Sequence, residues 1–454
     1  MSIDQSRVIV VNDCSVEPSG RYVLYWMQHG QRADDNPALE RAVDHANAAK
    51  LPLFVLFVID PDYPEANARH YTFMLEGLAE TMAAVRRRGA HMALRLGSPP
   101  EVASRIAQEA AAVVLDRGYL RHLVTWRKDV AAAAPCVVEM VEGETIVPVE
   151  AASGRRETAA RTIRRKLMER ARALAPDDAP PAPLDTAPHR LASDADVEIG
   201  DVARFVEALG CDDSVPPVEG FAGGAHAART RLGLFLSQDL PHYGDGRANM
   251  VQRRVSRLSP YLHFGQISPL TVYRAALAAD APAAAKDSFI DELLVRRELA
   301  INFIHHTADY DAFTSLPAWA RQTLAAHADD PRDTVFTRRE LEEGKTGDRY
   351  WNAAMREMRV TGYLHNHMRM YWGKRLIAYT NTPQTAFRTA LDLNNKYLLD
   401  GRDANSYANI GWLFGLHDRG WPERPVFGKV RSMTPGGLKR KFDIDAYVRW
   451  AEAL

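Results

Sequence analysis

The 454-residue sequence predicts two domains of different class: an N-terminal α/β domain built on a doubly wound parallel sheet, and an all-α C-terminal domain. Three observations carry this. Short apolar runs alternate with helical patterns over the first third of the chain. A Pro/Ala-dense stretch, APDDAPPAPLDTAP, interrupts the chain at 175–188. Beyond about residue 200 only the 3.6-residue periodicity of helices remains.

The apolar runs VIVVND (8–13), YVLYWM (22–27), LPLFVLFVID (51–60), HMALRLG (91–97), AAVVLDRG (111–118) and CVVEMVEGETIVPVE (136–150) read as strands. Between them, PALERAVDHANAAK (37–50) and HYTFMLEGLAETMAAVRRRG (70–89) read as amphipathic helices. Strands alternating with helices give a parallel sheet. Such sheets bind ligands beyond the carboxyl ends of their strands, here near Trp26, Met27, Gln28, Asp60 and Pro61. The sequence has no GxGxxG and no Walker loop, so a nicotinamide or P-loop site gains no support. Residues 155–172 carry eight basic and two acidic side chains, which favours a solvated helix face over a nucleic-acid contact. The expected division is an α/β domain at 1–174, a linker at 175–199 and a helical domain at 200–454.

Composition narrows the class. A hydrophobic fraction of 46% and a charged fraction of 25% are those of a globular protein, and the net charge of −1 points to no partner. Cys14, Cys136 and Cys211 are widely separated and form no CxxC pair, which argues for a reducing compartment and against a structural metal site. No signal core precedes the first strand, and no apolar run approaches the roughly 18–20 residues of a membrane span. The expectation is a cytoplasmic monomer without a metal.

In the helical half, the segments 227–244, 268–279 and 286–306 show helical spacing. The stretch from Gly344 to Tyr379 is dense in Trp, Tyr, Met, His, Arg and Asn, an odd composition for a core helix. Gly362 should split it into two helices. On the second, Asn366 and Arg369 lie at i and i+3 and can face one ligand. Trp372 and Tyr379, seven apart, share a face. Trp351 lies 21 residues before Trp372. On one straight helix that is about 31 Å, so the chain must fold back at Gly362 for the two rings to meet. An aromatic row beside an amide and an arginine suits a buried redox ring system; plain core packing is the competing reading. Between Arg419 and Lys441 seven basic residues stand against one acid, interleaved with Trp421 and Phe427. That is the footprint of a nucleic-acid surface, with a solvated basic loop as the competitor.

Three segments, VSRLSPYLHFGQIS (255–268), YLHNHMRMYW (363–372) and LLDGRDANSYANIGWLFGLHDRGW (398–421), resemble the photolyase/cryptochrome family. The segments YVLYWMQHGQRADDNPALERA and DPDYPEANARHYTFMLEGL resemble its class II cyclobutane pyrimidine dimer photolyases. The resemblance implies an α/β domain joined to a helical domain that holds FAD in a folded form. It also implies light-driven splitting of a pyrimidine dimer flipped out of double-stranded DNA, or, in the alternative, a cryptochrome-like photoreceptor without repair. A second, antenna chromophore, deazaflavin or folate, is left open.

Carried onto this sequence, the resemblance places Tyr243, Ser256, Leu258, Ser259, Arg297, Asn366, Arg369 and Asp400 around the cofactor. Ser256 and Ser259 would supply hydroxyls and helix-start N–H groups to the diphosphate. Arg369, anchored by Asp400, would lie beside the flavin ring. Asn394 or Asn405 would face flavin N5. Glu292 matches a carboxyl that hydrogen-bonds the dimer base. Trp412 and Met370 would line the dimer pocket, and Arg247 would hold the phosphate of the flipped dimer. Arg424, Lys429 and Arg431 fall in the basic DNA-facing segment. Trp372, Trp351 and Tyr379 would relay electrons from the surface to photoexcited oxidised flavin. Tyrosine is a departure at that outer position, where the family usually has tryptophan. Tyrosine is hard to oxidise unless its proton leaves too, so slower photoreduction is expected, with surface hydration deciding its rate. Ala248, where relatives often carry an amide, and Arg296, where some carry tryptophan, depart from the pattern in the pocket.

Overall fold

The computed structural model describes residues 3–174, 182–186 and 196–454; most of the 175–199 stretch read as a linker lies outside the described residues. Six strands, β1 (Val8–Val10), β2 (Tyr22–Trp26), β3 (Leu53–Ile59), β4 (His91–Leu96), β5 (Ala110–Asp116) and β6 (Val137–Val141), form one sheet in the order β1-β6-β5-β2-β3-β4. Strands β2 to β6 run parallel. Every residue of β2, β3 and β5 is buried, as expected where helices cover both faces of a sheet. Helices α1 (Pro37–Ala49), α2 (Ala68–Arg87), α3 (Pro99–Ala107) and α4 (Arg121–Ala133) make the four crossovers.

Two expectations are corrected. The edge strand β1 pairs antiparallel with β6. No helix separates β1 from β2, so no crossover returns the chain in the parallel sense. The run 136–150 is a strand only to Val141. Glu142 is buried there, paired with Arg117 at 2.9 Å, and accepts the N–H of Val149 at 2.7 Å, which folds the chain back.

The strand order reverses between β2 and β5, where an open sheet leaves its crevice. Asp116, at the end of β5, fills it by accepting the N–H groups of Gln28, His29 and Gly30 at 2.7–3.0 Å. The void left beside it, lined by Gln28, Asp60, Tyr63 and Trp126, is about 90 Å³. Cofactor pockets are typically about 300–1,000 Å³.

The second half is helical throughout, around two buried clusters, one of which holds Trp351, Met355, Met358 and Trp372. The basic stretch yields the helix Ala160–Leu174, whose Ile163, Leu167 and Ala171 pack into the other cluster. Its charged face engages neighbouring acids, Lys166 with Glu157 at 2.5 Å and Arg165 with Glu169 at 3.7 Å, as the solvated-face reading expects. Arg69 of α2 crosses to the helical half and donates to the carbonyls of Met358, Tyr397 and Arg359. Gly265 sits at φ +63° against the carbonyl of His29, where a Cβ would come within 1.7 Å, so only glycine fits this seam.

Glu298 ties the two halves together and makes them pH-sensitive. It is 3% exposed and accepts the N–H groups of Ile146 at 2.5 Å and Val147 at 3.2 Å. Burial pushes its carboxyl from 4.5 up to about 8, against the charge of Arg297. Between those values the folded protein holds a proton that the unfolded chain has released. Stability from this group is therefore present at low pH and lost as pH rises through about 8, with a slope of up to about 1.4 kcal/mol per pH unit. Denaturant unfolding across this window should show that slope in the native protein and a flatter one in Glu298→Gln.

Candidate active site

A cavity of about 620 Å³ opens in the helical half. Gly362 makes it possible. At φ +64° it ends the helix Arg349–Thr361, and the chain turns into the helix Asn366–Tyr379, whose first turn delivers Asn366, Arg369 and Met370 to the cavity. The helix Ala404–Leu413 adds Asn405, Asn409 and Trp412. A π-helical turn over Asp291–Arg296 widens one helix and presents Glu292 and Arg296.

The interior is held by an ion pair and a histidine–carboxylate contact. Arg369 Nη2 donates to both oxygens of Asp400 at 3.1 and 3.2 Å, while Arg369 Nε is buried without a partner among the described residues. His263 Nδ1 lies 3.2 Å from Asp403 Oδ2. Burial opposes ionisation of Asp403, but the His263 hydrogen bond and charge hold its carboxyl well below the usual range. Arg257, at φ +55°, stacks over Phe221 and Tyr363 with its Nε likewise unpartnered.

The mouth is built differently. Arg247 Nη1 binds Glu292 Oε1 at 2.5 Å, with side chains 40% and 34% exposed, so the pair can open to a ligand at little cost. Trp412 is flanked by Lys374 Nζ at 4.8 Å and by the Arg431 guanidinium at 5.3 Å from its ring centre. Lys374 is fully buried and donates to the carbonyl of Leu413; burial pushes its ammonium down to about 7.

Behind the cavity the aromatic row closes as the fold-back at Gly362 requires. Trp372 and Trp351 stack with ring centres 6.4 Å apart, and Trp351 meets Tyr379 edge-on at 6.1 Å. Tyr379 is 6% exposed, which corrects the expectation of a hydrated surface position. Its hydroxyl donates to Asp348 Oδ2 at 2.9 Å.

Residues 23–184 match the family model for DNA photolyase, and residues 289–452 match that for the FAD binding domain of DNA photolyase. The chain is 42% identical to the deoxyribodipyrimidine photo-lyase of Methanothermobacter thermautotrophicus, over 98% of both chains. This chain belongs to the photolyase/cryptochrome family. The deoxyribodipyrimidine photo-lyase of Potorous tridactylus is 36% identical over 97% of this chain and 83% of its own. Among solved structures, a class III photolyase from Agrobacterium tumefaciens aligns over 95% of this chain and 86% of its own, with a TM-score of 0.72 at 22% identity. A Synechocystis cryptochrome aligns over 94% and 88%, with a TM-score of 0.75 at 16% identity. Both likenesses concern the fold.

For a photolyase/cryptochrome chain, the sequence-derived residues divide by position. Tyr243, Arg247, Ser256, Leu258, Ser259, Glu292, Arg297, Asn366, Arg369, Met370, Asp400, Asn405, Trp412 and Arg431 all line the cavity, as do Ala248 and Arg296. Arg424 and Lys429 lie on the exposed loop before Arg431. Asn394 is buried one layer behind the cavity; its amide donates to Ser406 and Asn395, and its Oδ1 has no partner among the described residues. Asn405 donates to Asp403.

Sequence reasoning missed Arg257, His263, Asp403 and Asn409, which also line the cavity. All four sit inside the quoted motifs, where their polarity beside assigned residues was the available signal. FAD fits this donor set. The cavity has the size of a cofactor pocket, its cations and hydroxyls suit a diphosphate, and the unpartnered buried donors Arg257 Nε and Arg369 Nε suit a polar ring edge.

Proposed function

We propose that the protein is a class II-type deoxyribodipyrimidine photo-lyase acting on cyclobutane pyrimidine dimers in double-stranded DNA, as a cytoplasmic monomer. The observation that carries this is the polarity of one cavity. A shielded Arg369–Asp400 pair lies at its floor, and an openable Arg247–Glu292 pair with the Trp412 wall stands at its mouth. A pure sensor has no use for such a mouth. Reduced FAD, when bound, supplies a light-excited electron donor.

The chain's residues do the rest. Arg369, oriented by Asp400, places a cation beside the flavin ring and favours its electron-rich form. Asn405, on the cavity wall, would face flavin N5, with Asn394, whose Oδ1 is unpartnered one layer behind, as the other candidate. Tyr243, Leu258, Arg297 and Asn366 would contact the cofactor, and Ser256 and Ser259 would hold its diphosphate. At the mouth, Arg247 turns from Glu292 to the dimer phosphate. Glu292, protonated, donates to a pyrimidine carbonyl and stabilises negative charge that develops there. Trp412 and Met370 give the unstacked dimer an apolar seat; a dimer flips more cheaply than an intact base pair, which favours damaged sites. The division into 1–174, 175–199 and 200–454 is part of this reading.

The deciding experiment gives flavin-reduced protein a dimer-containing oligonucleotide in light and in darkness. Restored thymines in light alone support a photolyase. Flavin binding without repair supports the photoreceptor alternative, with Ala248 and Arg296 as the suspects. DNA affinity should fall steeply with salt, and Arg424→Ala and Lys429→Ala should each lower the log–log slope by about 1. A flat dependence removes the basic loop from the interface.

A further inference from the structure

Tyr379 is an unusual end for an electron relay. Among the groups packed on it, its hydroxyl donates to Asp348 Oδ2 at 2.9 Å, and Arg375 Nε and Nη2 lie 3.2 and 3.1 Å from its oxygen. Tyr379 is only 6% exposed and its hydroxyl is already engaged by Asp348, so the carboxylate is the base in direct contact with its proton. Asp348 is the N-cap of the Arg349–Thr361 helix. Its Oδ1 accepts the N–H groups of Tyr350 and Trp351 at 3.1 and 3.2 Å, which fixes the carboxylate and leaves Oδ2 facing two phenols, Tyr379 and Tyr371. The same cap therefore locks the backbone of Trp351, whose ring meets Tyr379 at 6.1 Å. Burial first, then the Asp348 charge, push Tyr379 up to about 12, so the phenol keeps its proton until it is oxidised.

We propose that Asp348 is the proton acceptor that makes Tyr379 the terminal electron donor of the Trp372–Trp351 row. The proposal rests on the FAD photochemistry put forward above, and its oxidant is the Trp351 radical cation left when a light-excited oxidised flavin draws an electron through Trp372. One electron passes from Tyr379 to that radical cation. The Tyr379 O–H bond breaks and its proton moves to Asp348 Oδ2. The products are neutral Trp351, a neutral Tyr379 phenoxyl radical and a neutral Asp348 carboxylic acid. Charge and atoms balance, and the return of the electron now requires return of the proton. A cavity of about 680 Å³ bordered by Asp348, Arg349, Arg375, Tyr379 and Lys439 gives an outside reductant access to the radical.

The test is flash excitation of the oxidised, flavin-loaded protein, followed by transient absorption and freeze-quench electron paramagnetic resonance. The native protein should form a tyrosyl radical with a solvent deuterium isotope effect, and Tyr379→Phe should not. Asp348→Asn keeps a good helix cap and should slow tyrosyl formation on the order of 100-fold. Tyr371→Phe should still form the radical. Adding Tyr379→Trp to Asp348→Asn should give a tryptophanyl radical that needs no base. A long-lived tryptophanyl radical without a tyrosyl signal in the native protein would overturn the proposal. So would tyrosyl formation at the native rate in Asp348→Asn, or its loss only in Tyr371→Phe. Dimer repair by the chemically reduced native protein, assayed separately, reports on the repair reading alone.

Discussion

Arg369→Met is expected to unfold more easily than the native protein by about 3–5 kcal/mol and to purify largely without flavin. The pair it breaks is largely shielded, with Arg369 and Asp400 side chains 11% and 12% exposed, and removal of one partner strands the other charge in a poorly solvated site. Denaturant unfolding and the flavin-to-protein absorbance ratio measure the two effects. They separate in the double variant Arg369→Met/Asp400→Leu. Removing both charges should recover much of the stability, because the stranded carboxylate is gone. It should not recover the flavin, because the cation for its ring is gone. Stoichiometric flavin in Arg369→Met would move the cofactor away from this pair.

The second large effect is expected at the mouth. Glu292→Gln should bind FAD with an unchanged spectrum, yet repair fewer dimers per absorbed photon by on the order of 10- to 100-fold. The amide keeps a donor but no proton that it can release to developing charge. Arg247→Ala should instead weaken binding of dimer-containing DNA by about 1.5–3 kcal/mol, the range of a charge-assisted hydrogen bond. The two residues bond each other at 2.5 Å in the free protein, so the double variant should lose less than the sum of the single losses. Strict additivity would mean that the pair is not exchanged for the lesion. Loss of flavin in Glu292→Gln would mean that this carboxylate serves the fold.

Much of this architecture was legible in the chain itself, because it rests on local physics. Strands buried on both faces announce themselves as unbroken apolar runs, so β2, β3 and β5 were readable, and Gly362 marked the fold-back as a residue unfavourable inside a helix. The spacing of Asn366 and Arg369 put both on one cavity because helix geometry fixes which residues share a face. What the sequence left undecided depends on residues far apart in the chain. The direction of β1 follows from pairing with β6 more than 120 residues later. The tail of the 136–150 run leaves the sheet because Arg117 and Glu142 meet in the core. Asn394 and Asn405 look alike in sequence, and only packing sets one behind the cavity wall and the other on it.

Tyr379 shows the same division most sharply. The sequence by itself determined that a tyrosine stands two helical turns from Trp372, on the face of the row. Only the tertiary structure decided that it is buried, that Trp351 closes on it, and that Asp348, 31 residues upstream, supplies its hydrogen-bond acceptor. Backbone periodicity is written into neighbouring residues, whereas solvation and hydrogen-bond partners are properties of the packed whole.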